Sequence, residues 1–250
     1  MSRDGNPVES DTPSTRTYGG VSSEERRQER RERLIESGLE VFGTRGLGQS
    51  TMRDICTRAR LTDRYFYESF ANVQEAFEAV YVHLRGLLLV RLQVAMASVE
   101  PEPVAVTEAG LRTFFEFVKE DPRCARIMLI DVLGLRYSNL GRPDLPEPIY
   151  AVKPYVSMFS DFIRVMYPRV AELDVDVDLV NKMLIGMTVQ SAAAWAEKGF
   201  DKSVDDIVRH NLFAWQGLDA WVRGMLAKLD ETKAAPMAVA APRGRRKTEN

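Results

Sequence analysis

Cysteine and histidine are nearly missing from this chain. Cys56, Cys124, His83 and His210 are all it has in 250 residues. Two cysteines within amphipathic patterns do not build a disulfide framework. They read as small apolar packing residues in a reducing compartment. The histidines lie far apart, with no Cys or acidic residue at ligand spacing, so no metal site is expected. Asp174, Asp176 and Asp178 open like a calcium loop, but Leu179 and Ile185 stand where Gly and Glu are needed. The stretch GTRGLG from Gly43 lacks G-x-G-x-x-G spacing and follows a helical pattern, so it reads as a helix end and turn. No nucleophile elbow or phosphate loop occurs. Neither an enzyme nor a bound cofactor is expected.

An excess of one charge is missing too. Thirty-four Lys and Arg face 36 Asp and Glu, a net charge of -2. Any attraction to DNA must therefore come from the placement of individual arginines. Long hydrophobic runs are absent: GLLLV, 86–90, is closed by Arg91 and is far too short to span a bilayer. The first twenty residues hold no apolar core of a signal peptide, so a cytoplasmic location, with no membrane partner, is the expectation. Residues 1–21 and 231–250 are too polar and too rich in Pro, Gly and Ala to offset ordering entropy and are expected to be disordered tails. The basic cluster Arg243, Arg245, Arg246 and Lys247 reads as solvated tail, with weak phosphate attraction as the alternative.

What is present is helical periodicity almost throughout. Ser22 and Ser23 offer a cap, with Glu24 and Glu25 in the first turn, to a helix carrying Leu34, Ile35, Leu39 and Phe42 and ending at Gly43 or Gly46. A short helix led by Thr51 runs to about Ala59. A second runs from Thr62 to Ser69. Asn72 and Glu75 form a capping pair for a long helix to about Ser98. Further helical patterns cover about 104–120, 122–137, 149–167, 177–197 and 203–229, separated by proline and glycine breakers. VDVDV alternates, but its acids suit the start of the next helix better than a strand. The expected fold is all-α with about nine helices.

The stretch LTDRYFYESF crowds Tyr65, Phe66, Tyr67 and Phe70 beside Arg64. With TMRDICTRA before it and a tight corner between, it has the layout of a helix-turn-helix, whose second helix enters the major groove. Phe66 and Phe70 are expected to fasten that helix to the first and fourth helices, with Ile55 and Leu61 completing a small core. Tyr65 and Tyr67 are left to donate to phosphates, and Arg64 to pair with guanine or phosphate. Thr51 and Thr62 sit at helix N-termini with hydroxyls and backbone N–H groups suited to phosphate. The expected DNA-facing set is Thr51, Arg53, Thr62, Asp63, Arg64, Tyr65 and Tyr67. The RRQERRER run before it reads chiefly as a solvated, salt-bridged helix face, with a DNA role as the alternative.

Through residues 33–77 the chain resembles the TetR family of bacterial transcriptional repressors. Phe42 and Gly46, then Thr51, Ile55, Leu61, Tyr67 and Phe70, occupy the positions of the family's F-x-x-x-G helix end, Thr-led first helix and Tyr-x-x-Phe reading helix. Two positions depart from the family's habit. Arg60 stands where Gly is common at the corner, and Val73 where a phosphate-contacting Lys is common. The resemblance implies a three-helix DNA-binding domain, here 22–70, joined to a helical ligand-binding and dimerisation domain, here 71–230.

The resemblance also implies a dimer through the last two helices, which two half-sites on one face of a duplex require as well. Ala192, Trp195, Leu212, Trp215, Leu218 and Trp221 are the expected interface residues. The Met- and Phe-rich middle helices suit an apolar effector, with Phe114, Phe117, Met128, Leu133, Tyr155, Phe159 and Met187 as expected wall residues. A fatty acyl compound is one such effector. The expected partners are therefore an operator duplex, a second copy of the chain and a small apolar ligand. The expected function is a ligand-released repressor; the alternative is a helical lipid carrier that does not bind DNA.

Overall fold

The helix starts follow local capping chemistry. Ser22 accepts from the Glu25 backbone N–H at 3.0 Å while the Glu25 carboxylate accepts from the Ser22 N–H, the two halves of a capping box. Asn72 accepts from the Glu75 N–H at 2.9 Å. Glu102 caps a helix that begins at Pro103, where the missing N–H costs nothing. Asp176 accepts from the Leu179 N–H at 3.0 Å, so the alternating acids do open a helix.

The computed structural model describes residues 22–132, 134–135 and 153–234. Among them are nine α-helices and no strand. They are α1 Ser23–Arg45, α2 Met52–Ala59, α3 Asp63–Tyr67, α4 Val73–Ala97, α5 Pro103–Glu120, α6 Pro122–Ala125, α7 Lys153–Met166, α8 Val177–Glu197 and α9 Val204–Ala234. Helix α6 continues directly into a π-helical turn, Arg126–Asp131. The expected tail at 1–21, and residues 235–250 of the one expected at 231–250, the basic cluster included, lie outside the described residues.

One boundary differs from expectation. Helix α9 continues to Ala234, through residues assigned above to a tail. The reason is not local. Arg169 grips Asp230 through two hydrogen bonds of 2.9 and 2.7 Å, and Lys233 pairs with Glu172 at 2.9 Å. These partners lie 61 residues away, so no window on the last helix reveals them.

The buried side chains form one cluster running from Leu34 in α1 to Val222 in α9. Phe42 of α1 meets Phe77 of α4 edge to face, with ring centroids 5.3 Å apart. Helix α4 then continues past the small N-terminal unit, burying Val80, Tyr81, Leu84, Leu88 and Leu92. It is long and apolar enough, by length and composition, to cross a membrane. Its inward apolar residues serve this shared core, while Leu87, Val90 and Val94 remain exposed on its outer side.

The end of α1 is built for close approach to α6. A Cβ on Gly43 would lie 2.3 Å from the Cβ of Arg123, so only glycine fits there. Arg123 reaches across to Glu40 and is also held by Asp121. Gly46 then ends α1 at φ 79, a conformation that glycine adopts without penalty.

Candidate functional site

Two features stand out: a polar face on α2 and α3, and an apolar cavity among the later helices.

On α3, the aromatic residues divide by helical angle. Phe66 and Phe70 are 0% and 2% exposed, while Tyr67 is 60% exposed. Tyr65 is half-buried under Arg30, whose guanidinium carbon lies 4.5 Å from the ring centroid. Ile55 is fully buried and Leu61 is partly buried against the same cluster, as the sequence suggested. Thr51, Arg53, Thr62, Asp63 and Arg64 are all exposed beside Tyr67. All seven expected DNA-facing residues belong to α2, α3 or their N-caps, and six are exposed while Tyr65 is half-buried.

The two helix N-termini differ. At Thr51 the polar groups are already used: Asp54 accepts from the Thr51 N–H at 3.0 Å and from its hydroxyl at 2.6 Å. Arg45 adds a 2.6 Å ion pair to Asp54. These bonds, the Thr51 hydroxyl first, hold the Asp54 carboxyl below its ordinary pKa. The expectation of open donors at Thr51 is thus corrected for its own N–H and hydroxyl, both of which the Asp54 carboxylate accepts. Thr62 makes no side-chain cap bond, so the start of α3 retains its donors. Arg64 is held by Glu68 at 2.9 Å, one turn on.

The arginine run of α1 has a more specific place than a solvated face. Arg27 donates to the Glu68 carbonyl at 3.2 Å and Arg31 to the Ser69 carbonyl at 2.9 Å. Arg33 donates to the Ala59 carbonyl at 2.7 Å. These carbonyls end α3 and α2, where the helix leaves acceptors unpaired. The run therefore clamps the C-termini of both short helices onto α1. At the corner, Arg60 takes φ 53, ψ 44, so the left-handed conformation usual for Gly is kept here by a residue that adopts it only at some strain. Val73 is packed against the core rather than presented as a substitute phosphate contact.

The cavity holds about 840 Å³ of empty space, part of it open solvent at the mouth. It takes walls from α4 (Tyr81, Leu88, Leu92), α5 (Thr107, Gly110, Leu111, Phe114), the π turn (Met128, Leu129), α7 (Tyr155, Phe159), α8 (Ile185, Thr188, Val189) and α9 (Trp215), with Val132 beside the turn. Of the expected wall residues, Phe114, Met128, Tyr155 and Phe159 are in place. Phe117 is not: it is buried on another side of α5, with Arg91 over its ring at 5.1 Å. Met187 is not: it points outward, 37% exposed. The side chain of Leu133 lies outside the described residues. Sequence reasoning missed the α4 wall, because those leucines read equally well as ordinary core.

The expected interface residues also need correction. Ala192, Trp195, Leu212 and Trp215 are buried within the subunit. Trp195 packs edge-on against Phe200 at 4.9 Å and Phe115 at 5.9 Å, and Trp215 is a cavity wall. Leu218 is partly buried, and Trp221 is 44% exposed. The outward apolar residues of α8 and α9 are instead Leu179, Met183, Met187, Phe213 and Trp221.

The π turn joins cavity and polar face. Met128 and Leu129 line the cavity. From the same turn, Asp131 accepts from the Leu47 N–H at 3.2 Å and Arg126 donates to the Arg45 carbonyl at 3.4 Å. Burial raises the Asp131 pKa more than this hydrogen bond lowers it. A raised acid pKa means the folded chain loses stability as pH climbs from the ordinary carboxylate value through the folded one. Asp131→Asn keeps an acceptor for Leu47 without the buried charge. It is expected to raise Tm at pH 7, with the gain vanishing below the ordinary Asp range; differential scanning calorimetry against pH checks this.

Cys56 and Cys124 are buried, and burial pushes the Cys124 thiol up to about 11, so both behave as packing residues. No cluster of metal-ligating side chains occurs among the described residues.

Residues 34–80 match the family model described as bacterial regulatory proteins, tetR family. A curated relative, the HTH-type transcriptional activator FasR of Mycolicibacterium smegmatis, is 24% identical over 194 residues, covering 77% of this chain and 84% of the relative. Among solved structures, the fatty acid degradation regulator FadR from Bacillus halodurans superposes with a TM-score of 0.62 at 14% identity. It covers 74% of this chain and 94% of that one. The regulator FadR from Bacillus subtilis, in complex with stearoyl-CoA, gives 0.59 at 14% identity, covering 74% and 96%. The matched segment spans the helix-turn-helix and its α1 and α4 supports, and over it the chain is similar to the DNA-binding domain of the tetR family of bacterial regulatory proteins.

Proposed function

We propose that this regulator works as a homodimeric repressor in the cytoplasm, and that a small apolar effector, a fatty acyl compound, releases it from its operator. The observation that carries the reading is where the cavity lies. Two of its walls, α4 and the π turn, also support the reading head: Phe77 of α4 underlies Phe42, and Asp131 holds Leu47. A ligand that changes the packing of either wall acts on the base of α1. Its effect equals its difference in affinity between DNA-competent and DNA-incompetent arrangements. The fatty acyl class is supported by the apolar walls and by the stearoyl-CoA named with the B. subtilis structure.

Residues 22–70 act as the reading head and 71–230 as the effector and dimer part, with α4 crossing between them. Thr62, Arg64 and Tyr67 carry the main contacts to the duplex; Arg53, Asp63 and the half-buried Tyr65 flank them. Two heads about 34–36 Å apart read one face of the operator. The dimer face is the outward side of α8 and α9, with Met183, Met187, Phe213 and Trp221 at its centre. Gly186, Gly217 and Gly224 have open space around them, which lets a second helix pair come close. Activation in place of repression is a second reading, favoured by the name of the M. smegmatis relative.

The test is fluorescence anisotropy on duplexes from the DNA upstream of the chain's own coding sequence. Binding is expected, with log K falling against log salt by about 0.9 per phosphate contacted. Stearoyl-CoA is expected to weaken it. A chain that binds stearoyl-CoA yet no duplex at about 50 mM salt is a lipid carrier, and the proposal fails.

A further inference from the structure

The cavity wall contains four hydroxyl or indole donors besides Tyr81, and they fall into two pairs. Thr107 donates to the Pro103 carbonyl at 2.8 Å and Thr188 to the Leu184 carbonyl at 3.0 Å, so both are satisfied within their own helices. The Tyr155 hydroxyl and the Trp215 indole N–H are fully buried and have no partner. Both belong to the cavity wall. Trp195 also has an unpaired indole N–H, but it lies among Phe115 and Phe200 and not in the wall.

Both residues that carry these donors neighbour Phe159. Tyr155 and Phe159 are one turn apart on α7, and the Phe159 ring lies 6.0 Å from that of Trp215. Burial, with Tyr81 nearby, raises the Tyr155 pKa further above its ordinary value, so the phenol remains a neutral donor. No wall residue carries a charge. Arg85, whose charge is felt at Tyr155, is not a wall residue, so a carboxylate in the cavity would find no cation in the lining itself, which is unfavourable. A neutral acceptor meets no such penalty and would satisfy donors that otherwise remain unmade.

We propose that the effector carries an uncharged hydrogen-bond acceptor, such as the carbonyl oxygen of an ester, thioester or ketone, inside the cavity beside Phe159, and that Tyr155 and Trp215 read it. This rests on the cavity being the effector site. It makes Tyr155 and Trp215 the specificity-determining residues, separating functionalised acyl compounds from plain hydrocarbon and from acids buried by their carboxylate.

Displacement of N-phenyl-1-naphthylamine from the full chain tests it, using methyl decanoate, decanoate and undecane. The wild type is expected to prefer methyl decanoate to undecane by about 2–12-fold for each hydrogen bond made. Tyr155→Phe should remove one such factor for the ester and leave undecane unchanged; Trp215→Phe, which also takes apolar area from the wall, should lower the ester-to-undecane preference by one such factor. The ligand-free Tyr155→Phe protein should melt no lower than wild type, because no bond is lost; a clear fall in Tm would reveal a partner for the hydroxyl and overturn the proposal. Equal binding of ester and undecane, or variants that keep the wild-type preference, overturns it while leaving the cavity as the effector site. Failure of all three compounds to displace the dye removes that reading as well.

Discussion

Introducing glutamate at both Met183 and Phe213 is expected to turn a dimer into a monomer. Light scattering should fall from twice the 28.3 kDa subunit mass to that mass itself. Both side chains project from the outer faces of α8 and α9, 67% and 78% exposed in the subunit, so the substitutions leave its core intact. In a dimer the same positions are desolvated, and a carboxylate there is buried without a partner. Operator affinity should fall by about 10²–10⁴-fold, because the second head no longer binds at high effective concentration. Ligand displacement should be unchanged. A double variant that stays dimeric places the interface elsewhere.

Adjacent aromatic residues on α3 are expected to fail in opposite ways. Phe66→Ala deletes a fully buried ring that packs on Phe70 at 5.6 Å. It should cost about 3–5 kcal/mol of stability, seen as a large drop in the denaturant midpoint. Tyr67→Ala deletes a ring that is 60% exposed. Its stability cost should be small, while operator binding weakens by about 1.5–3 kcal/mol for each charged hydrogen bond lost. Chemical denaturation and anisotropy on both variants separate the roles. If Tyr67→Ala binds the operator normally, that side of α3 does not face DNA.

The division between Phe66 and Tyr67 was legible in the sequence because every cue for it lies within about twenty residues. Thr51 with Asp54, Asn72 with Glu75 and the spacing of Ile55, Phe66 and Phe70 are all local signals. Which side of α8 and α9 turns outward was not legible in this way. Helices α8 and α9 are apolar on more than one side, and periodicity does not say which side turns inward. Ala192, Trp195, Leu212 and Trp215 carry the stronger apolar signal because they are core, whereas Met183 and Phe213 are the residues left outside.

The cavity shows the same limit. Phe114 and Phe117 are three residues apart on one helix, yet only Phe114 reaches the open space. Which of two neighbours lines a void depends on where α4, α8 and α9 come to rest. The π turn at 126–131 left no recognisable mark in RIMLID, and the extension of α9 to Ala234 depends on Arg169 and Glu172.

The unbroken apolar cluster from Leu34 to Val222 has a thermodynamic consequence. Whatever occupies the cavity packs on the same cluster that holds α1, α2 and α3 together. An occupant at a hundred times its dissociation constant contributes about 2.7 kcal/mol to the whole unit. Calorimetry with the cavity occupied is therefore expected to show the helices of 22–70 melting together with the later ones.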